Sequence, residues 1–205
     1  DVSTASFTDA FSVAGQETVP TGLAFNTDGT KMYVVGSTGD DVNEYALTTG
    51  FDVSTASYTR NFSVSAQETS PQGIAFNADG TKMYIVGVEV AEINEYALTT
   101  GFDVSTASYT QNFSVSGQDT WPTDIAFNPA GTKMFVVGAT NDTVYQYSTA
   151  VISIPTGYQP CIGSNIDSTY WTDINSLTAT NAVGDGNVFY AISNDDKTTW
   201  SVLDN

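Results

Sequence analysis

"FNTDGTKMYVVG" (Phe25–Gly36) returns as "FNADGTKMYIVG" (Phe76–Gly87) and again as "FNPAGTKMFVVG" (Phe127–Gly138) in a chain of 205 residues. Two apolar runs flank a polar turn, and in two of the copies that turn carries Asp-Gly, the signature of a tight β-hairpin. The second run, "MYVVG", is apolar at every position. A strand with one face in water would alternate. This strand therefore calls for a sheet covered on both sides. The interval is 51 residues each time, and the copies 1–51, 52–102 and 103–150 align around it. A period near fifty belongs to propeller blades or solenoid units.

Working outward, each unit reads as four strands. "GLAFN" (Gly22–Asn26) and "KMYVVGS" (Lys31–Ser37) form the hairpin, "DVNEYALT" (Asp41–Thr48) follows, and "ASYTRNFSV" (Ala56–Val64) alternates like a half-exposed strand. No segment holds apolar residues at helical spacing, and Gly, Thr and β-branched residues dominate. The fold class expected is all-β, with β-propeller-type four-stranded blades repeating every 51 residues and a β-rich C-terminal segment.

The phrase P-x-G-[LI]-A-F-N-x-D-G-T-K-M-Y-[VI]-V-G…[VI]-N-E-Y-A-L resembles the blade of the YVTN/NHL-like β-propellers, a group that includes lactonase-like enzymes together with binding and surface proteins. The resemblance covers 1–150 and implies the fold; propellers host many activities. A looser likeness is to predicted proteins of marine bacteria and their phages. Three copies fall short of the usual four to eight blades. Either the C-terminal segment adds a blade, or subunits assemble, or the chain is a fragment, which is the reading preferred. The opening "DVSTAS", with no initiator Met or signal peptide, reads as a mature product or a piece of something longer.

Beyond Ala150 the repeat phrase stops. Residues 151–165 read as a linker with two of the six prolines, and 166–205 as β-rich, an extra blade or the start of another β domain. "SNDDKTTW" (Ser193–Trp200) resembles the Asp-box of sialidase-type propellers through Ser193, Asp195, Thr199 and Trp200, with Lys197 where glycine is expected. The resemblance implies a structural role for these four. Similar endings occur in phage tail and adhesin-type β domains.

Composition excludes several classes of function. Twenty-three acidic residues against five basic ones give a net charge of −18, which repels phosphate backbones and anionic membranes. Nucleic acid and membrane are therefore not expected partners. No run approaches a membrane span. With no His and one Cys (Cys161), His-dependent triads, His- or Cys-based zinc sites and internal disulfides are ruled out. No cofactor is expected. Calcium takes oxygen ligands from loops, but no calcium motif is present. The carboxylates Glu44 and Glu95 read as solvated or strand-pairing, Arg60 as a variable strand position, and the sequons at Asn61, Asn112 and Asn141 as chance.

The copies differ chiefly in two loops, one before the first strand and one between the second and third. On a propeller both emerge on one face, where a rigid scaffold carries recognition. The candidate ligand-binding residues there are Asp40, Asp41, Glu89, Glu92, Asn141 and Asp142, with Trp121 and Asp124 sharpest because only the third copy has them. An aromatic beside a carboxylate suits a sugar. The function expected is a non-enzymatic extracellular, cell-surface or virion scaffold binding a glycan or protein. The alternatives are a self-associating structural component using blade edges, and, last, a lactonase-like or glycoside-acting enzyme.

Overall fold

The computed structural model describes residues 2–149, 189–192 and 200–203. The chain separates into two units, Asp1–Ala150 and Val151–Asn205. In the second, β12 (Phe189–Ile192) and β13 (Trp200–Leu203) form an antiparallel pair. The expected linker, Cys161 and the Asp-box residues Ser193, Asp195 and Thr199 lie outside the described residues, as does the side chain of Trp200.

The first unit is all-β. Three antiparallel sheets stand side by side, each built outward from its first strand. The first blade is β1 (Pro20–Phe25), β2 (Lys31–Gly36), β3 (Asp41–Leu47) and β4 (Ala56–Ser63). The second is β5 (Pro71–Phe76), β6 (Lys82–Gly87), β7 (Glu92–Leu98) and β8 (Ala107–Ser114). The third holds β9 (Pro122–Phe127), β10 (Lys133–Gly138) and β11 (Thr143–Ser148). The first strands β1, β5 and β9 lie next to one another. Each repeat thus supplies three strands to its own blade and the outermost strand to the blade before it.

The hairpin turns form as the sequence predicts, with Gly29, Gly80 and Gly131 at positive φ (72°, 70° and 66°). Asp28 and Asp79 brace the first two by accepting from the backbone N–H and hydroxyl of Thr30 and Thr81. The phrase "YALTTGFDVSTAS" also has a physical reason to repeat. Phe51 and Phe102, themselves at φ 61° and 60°, lay their rings over Gly29 and Gly80, where any Cβ would collide. Asp52 and Asp103 then cap a single 3-10 turn through the N–H groups of Ser54 and Ser105.

The apolar character of "MYVVG" on both faces is explained by packing between blades. Tyr33, Val35 and Val42 on the rear of the first blade bury Ile74, Met83, Ile85 and Tyr96 on the front of the second. The same interface recurs when Val86 and Ile93 meet Ile125, Met134 and Val136. A polar clamp crosses the first interface as well. Glu44 is buried, bridges Lys31 at 3.0 Å and accepts the N–H of Val104 at 3.1 Å. The Lys31 ammonium and the Tyr33 hydroxyl both donate to the carbonyl of Phe102 at 2.6 Å. Arg60 reaches Asp103 at 2.7 Å and Ser105 at 2.9 Å. Glu44, read as solvated or strand-pairing, is buried, and Arg60, read as a variable strand position, is engaged across the interface: both tie the first blade to the turn between β7 and β8 of the second.

Removing Glu44 leaves the buried Val104 N–H without its acceptor and takes a carboxylate partner from Lys31 and Arg60, which keep the Phe102 carbonyl and Asp103. Glu44→Ala is expected to cost about 3 kcal/mol, less than a fully enclosed pair because Lys31 and Arg60 reach solvent. Tyr33→Phe should cost roughly 1 kcal/mol, one hydrogen bond, since the third blade already carries Phe135 at that place. Urea denaturation of the full chain measures both.

Candidate functional site

On the loop face every blade is organised around one buried carboxylate. Before the first strand of each blade the chain turns tightly, with Gln16 and Glu17 N–H both donating to the Val13 carbonyl at 2.9 Å. Gln67 and Glu68 do the same to Val64, and Gln118 and Asp119 to Val115. The turn aims Glu17, Glu68 and Asp119 inward, where each is almost wholly buried. Each lies against a glycine (Gly36, Gly87, Gly138) whose Cβ would overlap the carboxylate.

Each carboxylate then gathers backbone N–H groups from both loops. Glu17 accepts from Val19 at 2.7 Å and from Gly39 at 3.1 Å. Asp119 accepts from Trp121 at 2.7 Å and Asn141 at 3.1 Å. Glu68 accepts through Oε1 from Ser70 at 2.7 Å and Glu89 at 3.2 Å, while its Oε2 has no partner among the described residues. Burial alone would raise the pKa of Glu17 and Asp119, but their hydrogen bonds outweigh it and hold both below the ordinary value. For Glu68 burial wins, and its pKa rises.

Beside Glu17 in the first blade stands Asp40, at φ 50° in the turn between β2 and β3. Burial, then the charges of Glu17 and Asp41, push its pKa up, and its Oδ1 has no partner among the described residues. Asp41 is engaged with the amides of Asn43 (2.6 Å) and Asn61. Ala91 takes the place of Asp40 in the second blade and Asp142 in the third, both again at φ 50°. Glu92, one carbon longer than Asp41, accepts from Asn112, and the buried amide nitrogen of Asn94 has no partner among the described residues.

The structure thus brings Asp40 and Asp41 together with Glu17, places Glu89 with Glu68, and joins Trp121 and Asn141 through Asp119. Trp121 is 55% exposed. Asp142 lies in the adjoining turn. Asp124 belongs elsewhere, on β9 against Gly73 of the neighbouring first strand. The sequon amides of Asn61, Asn112 and Asn141 all donate hydrogen bonds. Among the described residues no three acidic groups converge as metal ligands do. The three central carboxylates escaped sequence reading, although Q-[ED]-T at the same place in each variable loop was the signal.

No family model matches the chain, and no curated protein matches it. Solved structures do. A protein from Lactobacillus plantarum has a TM-score of 0.50 at 19% identity, over 64% of this chain and 38% of its own. The periplasmic gluconolactonase of Pseudomonas aeruginosa has a TM-score of 0.49 at 18% identity, over 63% of this chain and 35% of its own. A candidate 6-phosphogluconolactonase from Bacteroides fragilis has a TM-score of 0.49 at 16% identity, over 63% and 34%. The chain spans little more than a third of the length of these proteins. At this identity the likeness shows the propeller-type fold.

The expectation of a non-enzymatic binding or structural scaffold is corrected by these neighbours. Two of the three bear lactonase names, the class that sequence reading placed last and judged no enzyme. The physical reason is that the absence of His removes His chemistry only, while Glu17, Glu68 and Asp119 are buried with shifted acidities. Phage origin has no support among them. Among the described residues no helix is long and apolar enough to cross a membrane.

The acidities fix the sign of a pH effect. Glu17 is held below its ordinary value, so its contribution is full above the usual carboxyl range and is lost as pH falls through the lowered folded value. Glu17→Gln should therefore cost about 1–2 kcal/mol at neutral pH, with the gap closing below about pH 4. Glu68 has the opposite sign: its ionised form weakens the fold above the raised value, and protonation relieves this as pH falls. Glu68→Gln should cost less at neutral pH than Glu17→Gln, as read by urea denaturation across pH.

Proposed function

We propose that the chain is part of a lactonase-like propeller enzyme that opens a neutral sugar lactone by carboxylate-assisted attack of water. The observation that carries this reading is the pair Glu17 and Asp40. The neighbouring carboxyls have acidities driven apart, Glu17 downward by N–H donors and Asp40 upward by burial and by the charges of Glu17 and Asp41. Such a divergence marks an acid–base assignment. Asp40 keeps one buried oxygen unpartnered among the described residues.

In the proposed step Asp40 takes a proton from water as the water oxygen bonds to the lactone carbonyl carbon. The ring C–O bond then breaks, and the same proton passes to the departing ring oxygen. Water and lactone give a hydroxy acid with no change of oxidation state. Glu17 stays ionised, fixes the loop and raises the basicity of its neighbour. The chain's charge of −18 disfavours a phosphorylated sugar, which points to an uncharged lactone. An extracellular or periplasmic location goes with this reading, as for the gluconolactonase of P. aeruginosa.

Acid release from glucono-δ-lactone, corrected for spontaneous hydrolysis, tests the proposal on the full chain. Asp40→Asn should lower the rate by about 100-fold or more. Asp142→Asn, the same turn in the third blade, should leave it unchanged. A wild-type rate equal to buffer, or an Asp40→Asn rate equal to wild type, would sink the assignment.

A further inference from the structure

The second blade has a sheet against each of its sides, so burial on its front, the side turned to the first blade, comes from packing within the chain. On that front, close to the variable loops, two polar side chains end without a partner among the described residues: Glu68 through Oε2 and Asn94 through Nδ2. Each residue is 1% exposed. A buried acceptor and a buried donor both cost free energy unless something joins them.

The two groups share one face of the sheet. Glu68 lies against Gly87 of β6, its Oε2 2.5 Å from where a Cβ would stand. Gly87 pairs with Glu92 on β7, and Ile85 pairs with Asn94. Asn94 is therefore the diagonal neighbour of Gly87, two residues along, with its side chain on the same side. No hydrogen bond joins Glu68 Oε2 to Asn94 Nδ2 directly.

The other blades fill the same place with their own side chains. In the first, Asn43 stands where Asn94 does and donates to Asp41 at 2.6 Å, and Glu17 Oε2 accepts from Gly39 at 3.1 Å. In the third, the position holds Tyr145, whose hydroxyl donates to the Gln118 carbonyl at 2.8 Å. The second blade carries two changes at once. Glu92 replaces Asp41, and its carboxylate is engaged by Asn112 and not by Asn94. Ala91 replaces Asp40, which takes a carboxyl out of the space beside Glu68.

We infer that the second blade holds one internal water molecule between Glu68 Oε2 and Asn94 Nδ2. A water accepts from the amide and donates to the carboxylate, the two directions the site demands. A metal cation does not suit it, because Asn94 presents a donor and no three acidic groups converge among the described residues. A water occupies about 30 Å³ and needs two or more polar partners, which the exchange of a carboxyl for the methyl of Ala91 and the two free groups supply. Through it the carboxylate that holds the N–H groups of Ser70 and Glu89 is tied to β7 as well. This inference stands whether or not the chain hydrolyses lactones.

Magnetisation transfer from water to the side-chain amide of Asn94, read by nuclear magnetic resonance on the full chain, tests it. A water held longer than the tumbling time gives laboratory-frame and rotating-frame Overhauser contacts of opposite sign, and such a pair is expected at Asn94. Glu92→Asp restores the residue of the first blade. Its shorter carboxylate should accept from Asn94 as Asp41 does from Asn43, and the water contact should vanish with the fold unchanged. Absence of a water contact at Asn94 in the wild type would overturn the inference, and that measurement stands alone if the variant melts early. A contact that survives Glu92→Asp would overturn it as well, since the water then lies elsewhere than between these two groups.

Discussion

A four-stranded sheet that is apolar on both faces cannot stand alone in water, and this constraint organises the molecule. Met32 and Val34 point to one side of β2, Tyr33 and Val35 to the other. Each side needs a neighbouring sheet, and repetition supplies one with matching residues at no cost in new design. The hydrophobic term is non-directional. Register comes from the directional contacts laid over it: the Thr21 hydroxyl on the Pro71 carbonyl at 2.8 Å between first strands, and the Glu44 clamp on the outer side.

The same repetition sets where the blades can differ. The turn faces are locked by contacts that tolerate little change, with Phe51 over Gly29 and Phe102 over Gly80. The loop faces hang from one carboxylate each, which asks only for backbone N–H groups, so the side chains of those loops are free to vary. A single buried acceptor that draws on main-chain donors holds "STGDD", "VEVAE" and "ATNDT" in one conformation. It also makes glycine obligatory at 36, 87 and 138.

That freedom lets the same backbone position carry different side chains from blade to blade. Asp40, Ala91 and Asp142 occupy the same backbone position, but only in the first blade does the turn set a carboxyl beside both Glu17 and Asp41 with an oxygen left unengaged. The shift in its acidity is a property of that neighbourhood, since the backbone conformation is shared by all three. Comparing the copies therefore separates what the scaffold imposes from what the site adds.

Much of this was written in the chain. The 51-residue period, the Asp-Gly turns and the doubly apolar strand determined an all-β propeller-type fold and the bounds of its strands to within two residues, because hairpin and sheet signals are local. The identity of the variable loops as one face followed from strand connectivity alone. The site was less legible. Glu17, Glu68 and Asp119 drew no reading, Glu44 read as solvated or strand-pairing, and Trp121 and Asp124 read as a pair. Only the tertiary structure decided that the first four are buried, that Trp121 joins Asn141 through Asp119, and that Asp124 lies apart on β9. The physical reason is that burial and acidity depend on which chain segments meet across blades, and residues 17 and 39, or 44 and 104, carry no sequence signal of that meeting.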